Sequence, residues 1–292
     1  MVEHVFGGGW TEDKLRRLRD YLVAYRNIFA NNERASFLKT WYVDAFAGTG
    51  SRSLPTPTSD QLDYGEGFVV EGDSPKFMDG SAKIAMGLPS PFDHYLFIEQ
   101  RKKRAQTLRV SVQEEFPALE NRVEVRIDDA NNALCEWCGQ RDWTKERAVV
   151  FLDPYGMQVK WKTVGTLAKT KGVDLWYLFP LATRVLTHDG NMDESWANKL
   201  DSLFGTPNWR LRFYSQHVQP GLFGEVESVK RNATALNIQS FIEERLRSCF
   251  AEVADSRIIS NARSPIFSLC FAASNEKGSK TAIKIAQHIL RN

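Results

Sequence analysis

The feature that most restricts the fold is a rhythm. From residue 94 to residue 179, short strand-forming runs alternate with segments of helical periodicity. Strands are expected at His94–Glu99, Arg122–Ile127, Ala148–Asp153 and Val173–Phe179. Helices are expected between them at Arg101–Phe116, Ala130–Gly139 and Trp161–Lys171. Alternation of this kind joins successive strands by right-handed crossover helices, so the strands lie parallel. A parallel sheet is covered on both faces, and Val149-Val150-Phe151-Leu152 is the unbroken apolar run that such a position requires. The expected class is α/β, with a doubly wound, mostly parallel sheet and helices on both faces.

Upstream, a further strand at about 40–47 runs into an acid, Asp44, and breaks on Gly48 and Gly50. Glycines after a buried strand permit a turn tight enough for a ligand to reach bare backbone. In open α/β sheets, ligands bind outside the carboxyl ends of the strands, so Asp44, Ala45, Phe46, Gly48 and Gly50 form a candidate binding turn. The spacing D-x-F-x-G-x-G differs from both the dinucleotide fingerprint and the phosphate loop.

The other strand ends carry chemistry of their own. Glu99 closes the strand at 94–99, where an acid can accept both hydroxyls of a ribose. Asp128, Asp129 and Ala130 close the next; of the two acids Asp129 is the expected acceptor for an adenine amine, with Ala130 small enough to let backbone approach. Each acid alone reads more simply as a helix N-cap, and it is the succession that points to a ligand. The fourth strand ends in Asp153-Pro154-Tyr155-Gly156. An exocyclic amine has its lone pair delocalised into the ring. Hydrogen bonds from its N–H groups to a carboxylate and to a carbonyl held by proline would free that pair, and an aromatic ring would stack on the base. The bland reading of the same tetrad is a β-turn.

The remaining organisation is expected to be one domain over residues 1–292. It carries an N-terminal amphipathic helix at 11–31, a Pro/Gly-rich loop insertion at 51–79 and an irregular, aromatic-rich insertion at 181–233. A short helix is expected at 80–87, a long one at 234–250, strands at 257–260 and 266–273, and a last helix at 280–291.

With 292 residues, 42% of them hydrophobic, the chain can bury a large core. No apolar run reaches the roughly 18 residues a membrane span needs, and residues 1–9 lack a signal-peptide pattern, so a cytoplasmic protein with no membrane partner is expected. The 38 basic and 36 acidic side chains nearly cancel. Arg101-Lys102-Lys103-Arg104 is the only dense basic cluster, and its simplest reading is the solvated first turn of a helix. Cys135 and Cys138 form a C-x-x-C with no second pair at ligand spacing, so no metal site is expected.

The D-x-F-x-G-x-G turn followed by strand-end acids resembles the first motifs of the class I S-adenosylmethionine-dependent methyltransferases. The resemblance implies their Rossmann-like, seven-stranded sheet and S-adenosylmethionine as cofactor. Asp153-Pro154-Tyr155 is similar to the D-P-P-[YF] tetrad of amine N-methyltransferases, but with one proline. The form D-P-[YF]-G is closer to the tRNA guanine-N2 dimethyltransferases. More narrowly, the chain resembles the bacterial three-Cys-motif partner proteins. The matching stretches are Gly8 to Leu15, Tyr42 to Gly50, Asp79 to Ala82, Phe97 to Glu99, Val150 to Met157, Asp174 to Pro180 and Phe271 to Ser274. That family implies a radical S-adenosylmethionine-like partner bearing three cysteines, and it draws attention to Lys14 and to Ser81, which reads equally as lining the cofactor pocket or as capping the short helix. Lys14 reads either as a contact to the cofactor carboxylate or, more simply, as an exposed helix lysine. Two functions follow. One is a methyltransferase acting through Asp153, Pro154 and Tyr155 on a nucleobase amine, with nucleic acid as a candidate partner. The other is a methyltransferase-fold subunit that positions the three-Cys-motif protein without methylating.

Overall fold

The computed structural model describes residues 9–33, 35–52, 78–181, 186, 192–221, 224–261 and 264–292. In chain order it begins with α1 (Gly9–Asn31), β1 (Lys39–Asp44), β2 (Ser51–Arg52), β3 (Met78–Asp79), α2 (Ser81–Met86), β4 (His94–Ile98) and α3 (Lys102–Glu115). There follow β5 (Val123–Arg126), α4 (Ala130–Gly139), β6 (Glu146–Leu152), α5 (Trp161–Lys169) and β7 (Val173–Pro180). The last third holds α6 (Glu194–Phe204), α7 (Trp209–Phe213), β8 (Tyr214–Gly221), β9 (Gly224–Arg231), α8 (Ala235–Arg247), β10 (Glu252–Val253), β11 (Arg257–Ser260), β12 (Pro265–Ala273) and α9 (Ser279–Arg291).

The main sheet has the order β5-β4-β1-β6-β7-β12-β10, with β11 sharing the outer edge of β12 with β10. Strands β5, β4, β1, β6 and β7 are parallel, and β12 is antiparallel to β7. Eight strands thus fill seven positions, because two short pieces occupy the last one. The parallel part is the one expected from the strand–helix rhythm.

Alternation along each strand sorts the core into two layers. Trp41, Val43, Val150, Leu152, Leu175 and Tyr177 face α4, α5, α6 and α8. Tyr42, Phe97, Val149, Phe151, Trp176 and Phe271 face α1, α2, α3 and α9. Burying one such large side chain stabilises the fold by roughly 1.5–3 kcal/mol. Helix α1 runs along the second face, and polar groups fix it there. Tyr21 Oη donates to Asp174 Oδ2 at the start of β7 (2.6 Å), and Arg26 Nη1 donates to Thr40 Oγ1 in β1.

Two expectations need correction. Residues 181–233 are not irregular where described. They form α6 and α7, then an antiparallel hairpin of β8 and β9. The spacing of Leu200, Leu203 and Phe204 is helical, Asp193 caps the start by accepting from Ser195 N (2.7 Å), and Gly205 at φ 66° ends the helix rather than marking a loop. The aromatics are core: Phe204, Trp209 and Phe213 are buried, and the Phe204 and Phe213 rings lie 5.3 and 5.4 Å from Phe241. The first strand also ends earlier than expected, at Asp44. Of the loop expected at 51–79, only its two ends, paired as β2 and β3, fall within the described residues.

Candidate active site at the carboxyl edge of the sheet

Strand register brings the expected acids together. Asp44 lies opposite Phe97 of β4 on one side and Phe151 of β6 on the other. Glu99 and Asp153 each follow those partners by two residues. Since side chains alternate with a period of two, all three carboxylates leave the sheet toward the face covered by α1, α2 and α3. The edge is tied beyond the strands themselves. Ala45 N donates to Phe151 O (3.1 Å), Ala47 N to Ile98 O (3.0 Å) and Glu99 N to Arg126 O (3.1 Å). The turn after β1 is thus held alternately by its two neighbours, which explains why regular pairing stops at Asp44.

Within that turn Gly48 and Gly50 have φ of 62° and 77°, backbone that L side chains rarely adopt. A Cβ on Gly50 would lie 2.7 Å from Leu108 Cδ1, and one on Gly80 would lie 2.9 Å from Gly50 O, so two backbones meet closely here. Gly80 N donates to Gly50 O at 3.0 Å. By contrast, a Cβ on Gly48 would meet none of the described residues within 4 Å.

Asp44 is fully buried, and burial pushes its carboxyl up to about 6. Ser81 Oγ, which donates to Oδ2, and Phe46 N, which donates to Oδ1 at 3.1 Å, hold it from rising further; the Asp153 charge raises it and Lys14 lowers it. A cation arriving beside this carboxylate would lower that value and be bound more tightly as a result. Tyr42, one pleat earlier on the same face, is a neighbour the sequence reading missed. Burial, followed by the Asp44 charge, raises its hydroxyl well above 10. Period-two spacing from Asp44 was the available signal.

Glu99 is buried and accepts from Arg101 N through Oε1 (2.8 Å). Asp129 is the N-cap of α4: its Oδ1 accepts from Asn131 N (3.0 Å) and Asn132 N (3.2 Å). Asp128 in turn accepts from Asp129 N at 2.7 Å. Ala130, the first residue of the helix, is buried.

Asp153 follows β6 and accepts a 2.6 Å hydrogen bond from Lys14 Nζ of α1. Lys14 has 1% of its side chain exposed, against 17% for Asp153, so the reading of an exposed helix lysine is corrected. Pro154 is buried. Tyr155 is 60% exposed, and the Arg104 guanidinium lies 5.9 Å from its ring centroid. Asn131, which no sequence signal marked, pins the following loop to α4. Its Nδ2 donates to Gln158 O (3.0 Å), while its Oδ1 accepts from Lys160 N and Thr163 Oγ1, each at 2.8 Å.

These groups fit a sulfonium nucleoside on chemical grounds. Buried carboxylates at two adjacent strand ends suit a cation and a sugar diol. The cysteines lie elsewhere. Cys138 is buried, and burial pushes its thiol up to about 12, which disfavours the thiolate. Among the described residues no three His, Cys, Asp or Glu side chains group to hold a metal ion, and no helix is long and apolar enough to cross a membrane.

The strand order, with β12 antiparallel beside the edge, is that of the class I methyltransferase fold, and the chain is a methyltransferase-fold protein. No family model and no curated protein matches the chain, so the narrower resemblance to the three-Cys-motif partners stands on its motifs alone. Among solved structures, an S-adenosylmethionine-dependent methyltransferase from Clostridium acetobutylicum is similar at 10% identity and a TM-score of 0.40, covering 89% of this chain and 92% of the other. Magnesium protoporphyrin IX methyltransferase from Synechocystis, with bound SAH, gives 12%, 0.38, 90% and 84% in the same order. An rRNA methylase from Streptococcus thermophilus gives 9%, 0.33, 87% and 93%. Likeness at this level carries no argument about activity, and the fold class rests on the strand order.

Proposed function

We propose that the protein is an S-adenosylmethionine-dependent methyltransferase that methylates an exocyclic amine of a nucleobase. The observation that carries this reading is the convergence of Asp44, Glu99 and Asp153 on one face at one edge of three adjacent parallel strands. Asp44 with the Gly48–Gly50 backbone would hold the amino-acid end of the cofactor. Glu99 would hold its ribose, and Ala130 with the Asp129 turn would border its adenine. Bound there, the cofactor would supply an electrophilic methyl group.

The residues of the chain do the rest. Lys14 fixes the direction of the Asp153 carboxylate, and Asn131 fixes the loop that follows it. An amine donating to Asp153 and to the Pro154 carbonyl is drawn toward a tetrahedral nitrogen, which releases its lone pair. Pro154 has no N–H of its own to compete. The exposed Tyr155 ring offers the base a stacking surface. Transfer of labelled methyl from the cofactor into total RNA, DNA and free nucleosides tests the reading. Wild type should label one of them. Asp153→Ala should bind cofactor yet transfer at least ~100-fold more slowly, the scale lost with a key polar group at a reacting centre. Unchanged transfer by that variant would refute the role of Asp153.

One observation favours the second reading, a subunit that positions a three-Cys-motif protein. Asp153 already binds Lys14, as a carboxylate with a purely structural task would. Labelling of purified nucleic acid without any partner would count against it.

A further inference from the structure

We infer that Arg101, Lys102 and Lys103, together with the Arg104–Tyr155 pair, form a docking surface for single-stranded nucleic acid at the mouth of the candidate active site. The inference rests on the methyltransferase reading for its substrate but on separate residues for its evidence. Arg101, Lys102 and Lys103 are exposed, and Arg104 is half-buried. None of the four forms an ion pair with any described residue, whereas most other arginines among the described residues sit beside acids. The acid nearest in sequence, Glu99, is engaged by Arg101 N, and Asp128 and Asp129 at the next strand end are engaged by the turn into α4. On a chain of net charge +2 this is a local concentration of uncompensated positive charge.

Its position gives that charge a meaning that composition could not. Helix α3 leaves β4 and Tyr155 leaves β6, and these two strands flank β1. The Arg104–Tyr155 contact at 5.9 Å therefore joins elements that leave the two strands on either side of β1. An aromatic ring 60% exposed, two residues after Asp153 and backed by a guanidinium, is a platform for an unpaired base. Exposed cations beside it match the phosphates of the same strand. A duplex would keep its bases stacked and its exocyclic amines away from Asp153, so a single strand is the occupant that satisfies both features.

The test is fluorescence anisotropy with a mixed-sequence single-stranded oligonucleotide of about 16 nucleotides, in RNA and DNA forms. The full chain is titrated between about 50 and 200 mM salt. Wild type should bind at least one form more tightly than the matching duplex. Arg101→Glu/Lys102→Glu/Lys103→Glu, all exposed and outside the binding crevice, should weaken binding at least tenfold and flatten the log–log salt slope by about 2. Tyr155→Ala should weaken it roughly tenfold with the slope unchanged. No binding by wild type, equal binding by the triple variant, or equal affinity for the duplex would overturn the surface. Cofactor titration of the same samples separates the two claims. Cofactor binding without oligonucleotide binding removes the surface and leaves methyl transfer to a free nucleobase compound. The reverse pattern keeps the surface and removes the transferase.

Discussion

At the scale of single residues, burial makes the Lys14–Asp153 pair consequential. An ammonium with 1% of its side chain exposed loses its hydration, and Asp153 Oδ2 at 2.6 Å compensates for that loss. Removing one partner leaves the other charge poorly solvated. Lys14→Met, which keeps the volume, should cost about 2–3 kcal/mol of unfolding free energy in urea. Lys14→Met/Asp153→Asn should recover most of it. A neutral single variant would show that the pair does not hold α1 to the edge. The acids at 44, 99 and 153 were legible beforehand because a strand end is a local signal. The pairing of Lys14 was not, because its partner lies 139 residues away and the helix period around it is ordinary.

Helix α1 also shows how an element can be tuned by one half-buried acid. Burial raises Asp174 to about 6, while the Tyr21 hydroxyl and the charge of Arg147 oppose the rise. The folded state thus binds this proton more tightly than the unfolded chain does, whose value is near 3.8. The contribution is most favourable below that unfolded value and is lost as pH rises through about 6. Asp174→Asn keeps an acceptor for Tyr21 but cannot ionise. Relative to wild type it should gain on the order of 1 kcal/mol between pH 5 and pH 7.5 in denaturation experiments. A difference that does not change with pH would place Asp174 in water rather than under α1. Elements with a clear period, α3, α4, β6 and α5 among them, were readable from the sequence. Strand β10 has two residues, too few to leave a pattern. Among the described residues, strands β8 and β9 pair only with each other, and their sequences, with a proline, glycines and few apolar residues, show neither alternation nor a continuous apolar run.

At the scale of the whole molecule, the sheet divides the labour. The layer of α4, α5, α6 and α8 packs a large apolar cluster against one face of the strands. The layer of α1, α2 and α3 supplies Lys14 and Ser81 to the carboxylates that point into it. The sequence reading took 181–233 for an irregular addition because glycines and prolines mask helical spacing there. The structure instead uses Phe204, Trp209 and Phe213 to extend the first layer.

The central claim is that parallel strands deliver their terminal acids into one crevice shaped for a sulfonium nucleoside. Calorimetric titration of the full chain with S-adenosylmethionine, for wild type and for Glu99→Gln, tests it most directly. The substitution keeps the acceptor for Arg101 N and removes the charge that would face the ribose. Saturable one-site binding by wild type, weakened about tenfold in the variant, is the expected result. No binding by wild type at millimolar cofactor, or equal binding by both proteins, would contradict the account.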